Sequence, residues 1–211
     1  YESEAIIMSE IGKFLMDGSL YRGVKPVMWS PVEKTALAEA EIEYHDHTST
    51  TIFARFSIIQ TKLEALKGFE IIIWTTTPWT MPGNRAVAYG NDIDYSLVKI
   101  KKVQDRSLAK IGDQIVVASK LLENVAKELL VEEFEVVGDL KGEELEGIIL
   151  AHPLRGFGYD YDVVLLEADF VTTDQGTGFV HIAPGHGADD FELGKKNNLP
   201  IPETVSDNGI L

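Results

Sequence analysis

The chain contains no cysteine among its 211 residues, so disulfides and thiolate zinc sites are excluded and a reducing compartment is permitted. It also lacks any run of 18 apolar residues, which excludes a membrane-spanning helix. The opening stretch YESEAIIMSEIGKFL begins acidic and never becomes a continuous apolar run, so it does not read as a signal peptide. The chain starts at Tyr1 rather than Met, which fits a processed form or a piece of something longer. Positive charge is scarce: 19 Lys and Arg stand against 34 Asp and Glu, a formal net charge of -15. That balance argues against a polyanionic partner.

The excess charge is uneven. Between Glu123 and Glu146 there are nine acids and two lysines, a net of -7, whereas from Ile71 to Gly90 the only charged residue is Arg85. At 45% hydrophobic and 25% charged residues, the composition supports a sizeable core in one large domain or two small ones.

Hydrophobic spacing predicts a helix over residues 2–17, stopped at Gly18, and a short strand or extended link over 24–30. Residues 40–44 and 50–58 read as two strands of a hairpin around the polar HDHTS. Strands are expected at 69–76, 85–89, 95–103, 114–118, 134–137, 148–151, 163–168 and 178–182. Helices are expected at 119–130, with Ser119 as N-cap, and at about 188–195. Eight to ten short strands with three helices, not regularly interleaved, disfavour a doubly wound parallel sheet. The predicted class is mixed α/β: a β-barrel-like domain of short mixed strands with peripheral helices.

Two polar clusters interrupt the β runs. The first is WTTTPWT (74–80), where the threonines are either a strand end with a local turn or the lining of a pocket. The second is GTGFVHIAPGHGADDF (176–191), in which His181 sits in an apolar strand among glycines at 176, 178, 185 and 187. Glycine permits close backbone approach by a ligand, and two such clusters at a barrel mouth form a usual pocket site. His181, His186 and Asp190 could in principle hold a metal, but the spacing matches no zinc motif. The His45–His47 pair reads first as a polar turn, and His152, before Pro153, as structural or exposed. No G-x-S-x-G, dinucleotide fingerprint or P-loop is present.

Together these segments resemble the editing domains of isoleucyl-tRNA synthetases. WTTTPWTMPGNRAV (74–87) resembles the threonine-rich editing motif, GTGFVHIAPGHGADDF the second motif, and KPVMWSPVEKTALAEAEIEY (25–44) the lead-in to the inserted domain. Valyl and leucyl relatives usually carry arginine where Thr77 stands, and the valyl motif usually has lysine at His181. TMPGN (80–84) departs mildly from the family's usual TLPAN. HIGH- and KMSKS-type motifs are absent, so the resemblance implies the editing insertion alone, residues 1–211. Segments 1–35 and 200–211 would link it to a catalytic domain.

The resemblance implies hydrolysis of the ester of mischarged Val-tRNA(Ile), and with it possible action on valyl-adenylate. It assigns Asp190 to the substrate ammonium, and Thr75, Thr76 and Thr77 to the terminal adenosine, ester carbonyl and water. His181 would form a wall that excludes isoleucine, Trp74 and Trp79 would be pocket walls, and Asn84, Gly185 and His186 would help placement. Catalytic weight falls on Thr76, Thr77 and Asp190. No metal or cofactor is expected for this domain; ATP and any zinc would belong to the full-length synthetase. The implied partners are the tRNA 3′ end, the valine moiety and the rest of the synthetase in cis, in a cytoplasmic, membrane-free setting, with the isolated domain a monomer. The alternative is a module that binds the 3′ end or an aminoacyl-adenylate without hydrolysing it.

Overall fold

A computed structural model describes residues 1–211. The elements in chain order are α1 (Glu2–Met16), β1 (Trp29–Ser30), β2 (Thr35–Ala36), β3 (Ile52–Gln60), β4 (Glu70–Thr75), β5 (Ala86–Tyr89), β6 (Asp94–Val103), β7 (Gln114–Ala118), α2 (Leu122–Glu128), β8 (Val131–Lys141), β9 (Ile149–Ala151), β10 (Asp162–Glu167), β11 (Phe179–Ile182) and α3 (Ala188–Lys196). No helix is long and apolar enough to cross a membrane.

Nine strands form one mixed sheet in the order β11-β5-β10-β9-β3-β4-β7-β6-β8. The pairs β5–β10 and β4–β7 are parallel and the rest antiparallel. Alternation along β4 sends Ile71 and Ile73, both 0% exposed, into the core with Phe56, Tyr95, Leu150 and Phe179. Fully burying side chains of this size is worth about 1.5–3 kcal/mol each.

The sheet curls over this core. The 176–178 turn lies on the end of β7, where the Ala118 N–H donates to the Thr177 carbonyl at 2.8 Å. The Tyr95 hydroxyl donates to the Gly178 carbonyl at 2.8 Å, and the Tyr95 and Phe179 rings lie 4.6 Å apart. β11 crosses over β4. The end strands β11 and β8 do not pair, so the mixed α/β architecture is as the sequence predicts, with a curled open sheet rather than a closed barrel.

Several local expectations fail for identifiable reasons. Residues 40–44 are no strand: Glu39–Glu41 make a 3₁₀ turn in which the Ala38 N–H donates to the Glu41 carboxylate at 2.7 Å. Tyr44 is 82% exposed, so the Ala40, Ile42 and Tyr44 side chains are not laid together on the core, and β3 pairs with β4 and β9 instead. Ser119 does not cap a helix, because its hydroxyl bonds that of Ser96 at 2.8 Å; a 3₁₀ turn follows and α2 begins at Leu122. In 24–30 only Trp29 and Ser30 are strand, and β8 runs well beyond 134–137. The terminal segments meet: Trp29 Nε1 donates to the Asp207 carbonyl at 2.8 Å.

Candidate functional site

Thr75 ends β4 on its core-facing side and is 8% exposed. Its hydroxyl accepts the Thr77 N–H at 3.1 Å and lies 3.2 Å from the Thr77 hydroxyl. Pro78 then opens a 3₁₀ turn over Pro78–Gly83, as a fixed φ suits a first helical position. In this turn the Thr80 N–H and hydroxyl both donate to the Thr77 carbonyl, at 3.0 and 2.9 Å. Residues three apart eclipse in 3₁₀ geometry, so Thr80 stands over Thr77.

The second cluster meets the first at His181, on β11 and 7% exposed. Its Nε2 lies 2.9 Å from the Thr80 hydroxyl and its Nδ1 lies 2.8 Å from Asn84 Nδ2. The amide of Asn84 also donates to the Ala86 carbonyl at 2.8 Å. Flipping that amide would set its oxygen against the Ala86 oxygen, so Nδ2 is the donor to His181 Nδ1. The Thr80 proton goes to the Thr77 carbonyl, so its oxygen receives the His181 Nε2–H. The ring is therefore neutral, with the proton on Nε2 and neither nitrogen free. Burial pushes its pKa down to about 4, with His152 and His186 adding to the effect. Asn84, 0% exposed, retains an unpartnered buried Oδ1.

Past β11, the Ala183 N–H donates to Asp190 Oδ2 at 2.8 Å, and the His186 N–H donates to the Ala183 carbonyl at 2.9 Å. Burial raises the Asp190 pKa and Asp189 adds to the rise, against the Ala183 hydrogen bond. His186 bonds the Thr204 hydroxyl at 2.6 Å. The clusters touch again at Gly83, where an added Cβ would stand 3.0 Å from His186 Cδ2 and 3.6 Å from the Ala183 methyl.

Thr75, Thr77, Asn84 and His181 are thus brought together, with Gly185, His186 and Asp190 alongside. Thr76 and Trp79 are exposed and make no side-chain hydrogen bond; Trp79 is 46% exposed. Strand alternation puts Trp74, half-buried, on the face of β4 opposite Thr75. Three of the glycines are required by the protein's own packing. An added Cβ at Gly178 would lie 2.3 Å from the Ala118 Cβ, at Gly185 2.8 Å from the Pro202 carbonyl, and at Gly187 2.9 Å from the Asp190 carboxyl. His181, His186 and Asp190 do not gather as a metal-ligand set, nor does any other group of three such side chains. A cavity of about 480 Å³ borders the site at Gly185 and His186 and runs between the two terminal segments.

Four residues of the site were not read as site residues from sequence, although His152 was read as structural or exposed. Thr80 makes the hydroxyl contact to His181; its position three after Thr77, behind Pro78, was the available signal. His152, 2% exposed, donates Nε2–H to the Met81 carbonyl at 3.0 Å and accepts the Leu154 N–H at Nδ1, which pins the turn. Tyr161 donates to the Asn84 carbonyl at 2.9 Å, and the Arg85 guanidinium lies 4.4 Å from the Tyr161 ring centre. These last contacts span some seventy residues and leave no local pattern.

The chain matches the family of class I tRNA synthetases (I, L, M and V) over residues 2–182. It is 54% identical over 211 residues to isoleucine--tRNA ligase of Gluconobacter oxydans (strain 621H), covering 99% of this chain and 22% of that protein. It is 49% identical over 209 residues to isoleucine--tRNA ligase of Pelagibacter ubique (strain HTCC1062), covering 99% and 23%. The chain therefore spans under a quarter of the length of these curated relatives. Among solved structures it is similar to the cytosolic leucyl-tRNA synthetase editing domain of P. knowlesi, with TM-score 0.54 over 71% of this chain and 65% of that one. At 15% identity, that likeness shows the fold.

Proposed function

Because the chain belongs to the class I tRNA synthetases (I, L, M and V), we propose that it is an editing domain that hydrolyses the ester of mischarged Val-tRNA(Ile), with valyl-adenylate as a second substrate. The observation that carries the reading is the junction of two distant segments: the threonine turn and the β11–α3 loop meet through His181, Thr80 and Asn84. Editing answers a general limit. One methylene in an apolar pocket discriminates by only about 10–200-fold, isoleucine against valine being the standard example, and a second, smaller sieve adds to it.

In this reading Asp190 receives the α-ammonium of the amino acid. One carboxylate oxygen is held by the Ala183 amide, and no Lys or Arg pairs with it. Thr76 and Thr77 face the ester and water. A water oxygen attacks the carbonyl carbon, hydroxyl and amide donors stabilise the oxyanion, and the ester C–O bond breaks. The terminal ribose oxygen leaves with the proton that water gives up. His181 is a wall and not a base, since both ring nitrogens are engaged. No covalent intermediate on threonine is required. Segments 1–35 and 200–211 connect the domain in cis to a larger cytoplasmic synthetase, which grips the tRNA body. The acidic domain alone therefore binds tRNA weakly.

The test presents Val-tRNA(Ile) and Ile-tRNA(Ile) to the chain and to a full-length synthetase that carries it. Valine should be released much faster than isoleucine, and Asp190→Asn should lose the release. Binding of a 3′-end analogue with no release by either form would leave a non-hydrolytic module. An acyl-enzyme trapped on Thr76 or Thr77 would sink the direct water attack.

A further inference from the structure

A cavity of about 1030 Å³ lies away from the threonine turn, between the ends of β9 and β10, the 143–147 segment and α3. Six carboxylates surround it: Glu143, Glu146, Glu167, Asp169, Asp189 and Glu192. All six are exposed, and none takes part in an ion pair. The one cation on its lining is Lys196. Six negative charges less one leave a formal net of -5, a third of the -15 carried by the whole chain.

A second observation marks the floor. Tyr89 is 3% exposed and lines this cavity near Glu146 and Glu167, and its hydroxyl takes no hydrogen-bond partner from the protein. Burial and the nearby Glu167 and Glu146 carboxylates all disfavour its ionisation, so it stays a neutral phenol whose oxygen can accept a bond from a cation. Between the acids the walls are apolar, formed by Val164, Leu166, Ile149 and Phe170.

The acids are spread too widely for three of them to close on one metal ion. A point cation would therefore meet only part of the charge. A linear chain with ammonium groups spaced by methylenes matches both features, its charges to the carboxylates and its methylenes to the apolar walls. We propose that this cleft binds an aliphatic polyamine, with one ammonium on the Tyr89 hydroxyl and the others on Glu146, Glu167 and the α3 carboxylates. The site is independent of the editing reading: Asp189 faces this cavity, while its neighbour Asp190 is held by Ala183.

The experiment is an NMR titration of the 211-residue chain with spermidine at constant ionic strength. Parallel titrations use magnesium and a monoamine, 1-propylamine. Saturable shifts should centre on Tyr89, Glu146, Glu167 and Phe170, with spermidine tightest of the three. Tyr89→Phe and Glu146→Gln should each weaken binding by about threefold or more, from one lost hydrogen bond or ion pair. Glu132→Gln, on β8 outside the cavity, should bind as wild type. The proposal is overturned if the shifts follow ionic strength alone, if they spread over the β8 acids, if magnesium matches spermidine, or if both cavity variants bind as wild type.

Discussion

Acidification from pH 7 to pH 4 should weaken the fold through His181 by an amount that the structure sets. An unfolded histidine titrates near 6.5, whereas burial holds His181 at about 4 in the folded chain. The unfolded state therefore takes up the proton first. The contribution of His181 is complete above about pH 6.5 and is lost progressively as the pH falls toward 4. A gap of roughly 2.5 pKa units, at about 1.4 kcal/mol each, makes the loss ~3 kcal/mol. That is a large share of the roughly 5–15 kcal/mol that holds a domain folded. His152 and His186 are lowered as well and act in the same sense. Urea denaturation across this range, for wild type and His181→Gln, isolates the effect, because the carboxylates are common to both. The two stability–pH curves should converge toward pH 4 by about 3 kcal/mol. Ring nitrogen shifts should show the proton on Nε2 with an acid midpoint well below 6. A midpoint between 6 and 7, or parallel curves for the two chains, would refute the buried neutral imidazole.

Gly178→Ala should cost about 3 kcal/mol or more in a denaturant titration, since the new Cβ falls 2.3 Å from that of Ala118 at a φ of +82°. A loss under about 1 kcal/mol would show that the 176–178 turn is not pressed on β7. Asp190→Asn should raise the melting temperature while abolishing valine release. The folded pKa of Asp190 is raised, so its charged form is disfavoured once the pH passes that value, and a neutral amide still accepts the Ala183 N–H. Tyr161→Phe should lower stability by about 1 kcal/mol through loss of the Asn84 bond, read by calorimetry.

Continuous β runs were readable where burial is two-sided. Residues 70–75 and 114–118 lie within a residue of their expected bounds because isoleucine and valine dominate both faces. The hairpin at 40–58 misled because alternation alone does not supply a surface to pack on, and Ala40 and Tyr44, which alternation would put on one face with Ile42, stay exposed. The curl of the sheet was illegible for a different reason. It depends on the Tyr95–Gly178 and Ala118–Thr177 bonds, which join residues 83 and 59 positions apart. The site divides in the same way. Thr75 to Thr77, His181 and Asp190 carry local signals, while the residues that fix them in place, His152 and Tyr161, do so from another edge of the fold.

If the proposed editing reading holds, the His181 imidazole is the wall that would have to reject one methylene. Admitting isoleucine would return about 0.8 kcal/mol for the extra buried CH₂. To admit it, His181 would have to move, and its two nitrogens are tied to Thr80 at 2.9 Å and Asn84 at 2.8 Å while the residue is only 7% exposed. Leaving a buried polar group unmet costs about 1–3 kcal/mol, so displacing both contacts would outweigh the methylene by at least ~1 kcal/mol, or about fivefold. On the proposed editing reading, the wall would therefore discriminate by being held still rather than by shape alone. Thr80→Val keeps the volume and removes one of the two ties, together with the hydroxyl bond to the Thr77 carbonyl, which the Thr80 N–H still holds. Release from Ile-tRNA(Ile) should rise by about fivefold relative to Val-tRNA(Ile), and Thr80→Ser should restore the difference. Equal loss of both activities in Thr80→Val would show instead that the turn positions the ester, with the His181 wall playing no part in selection.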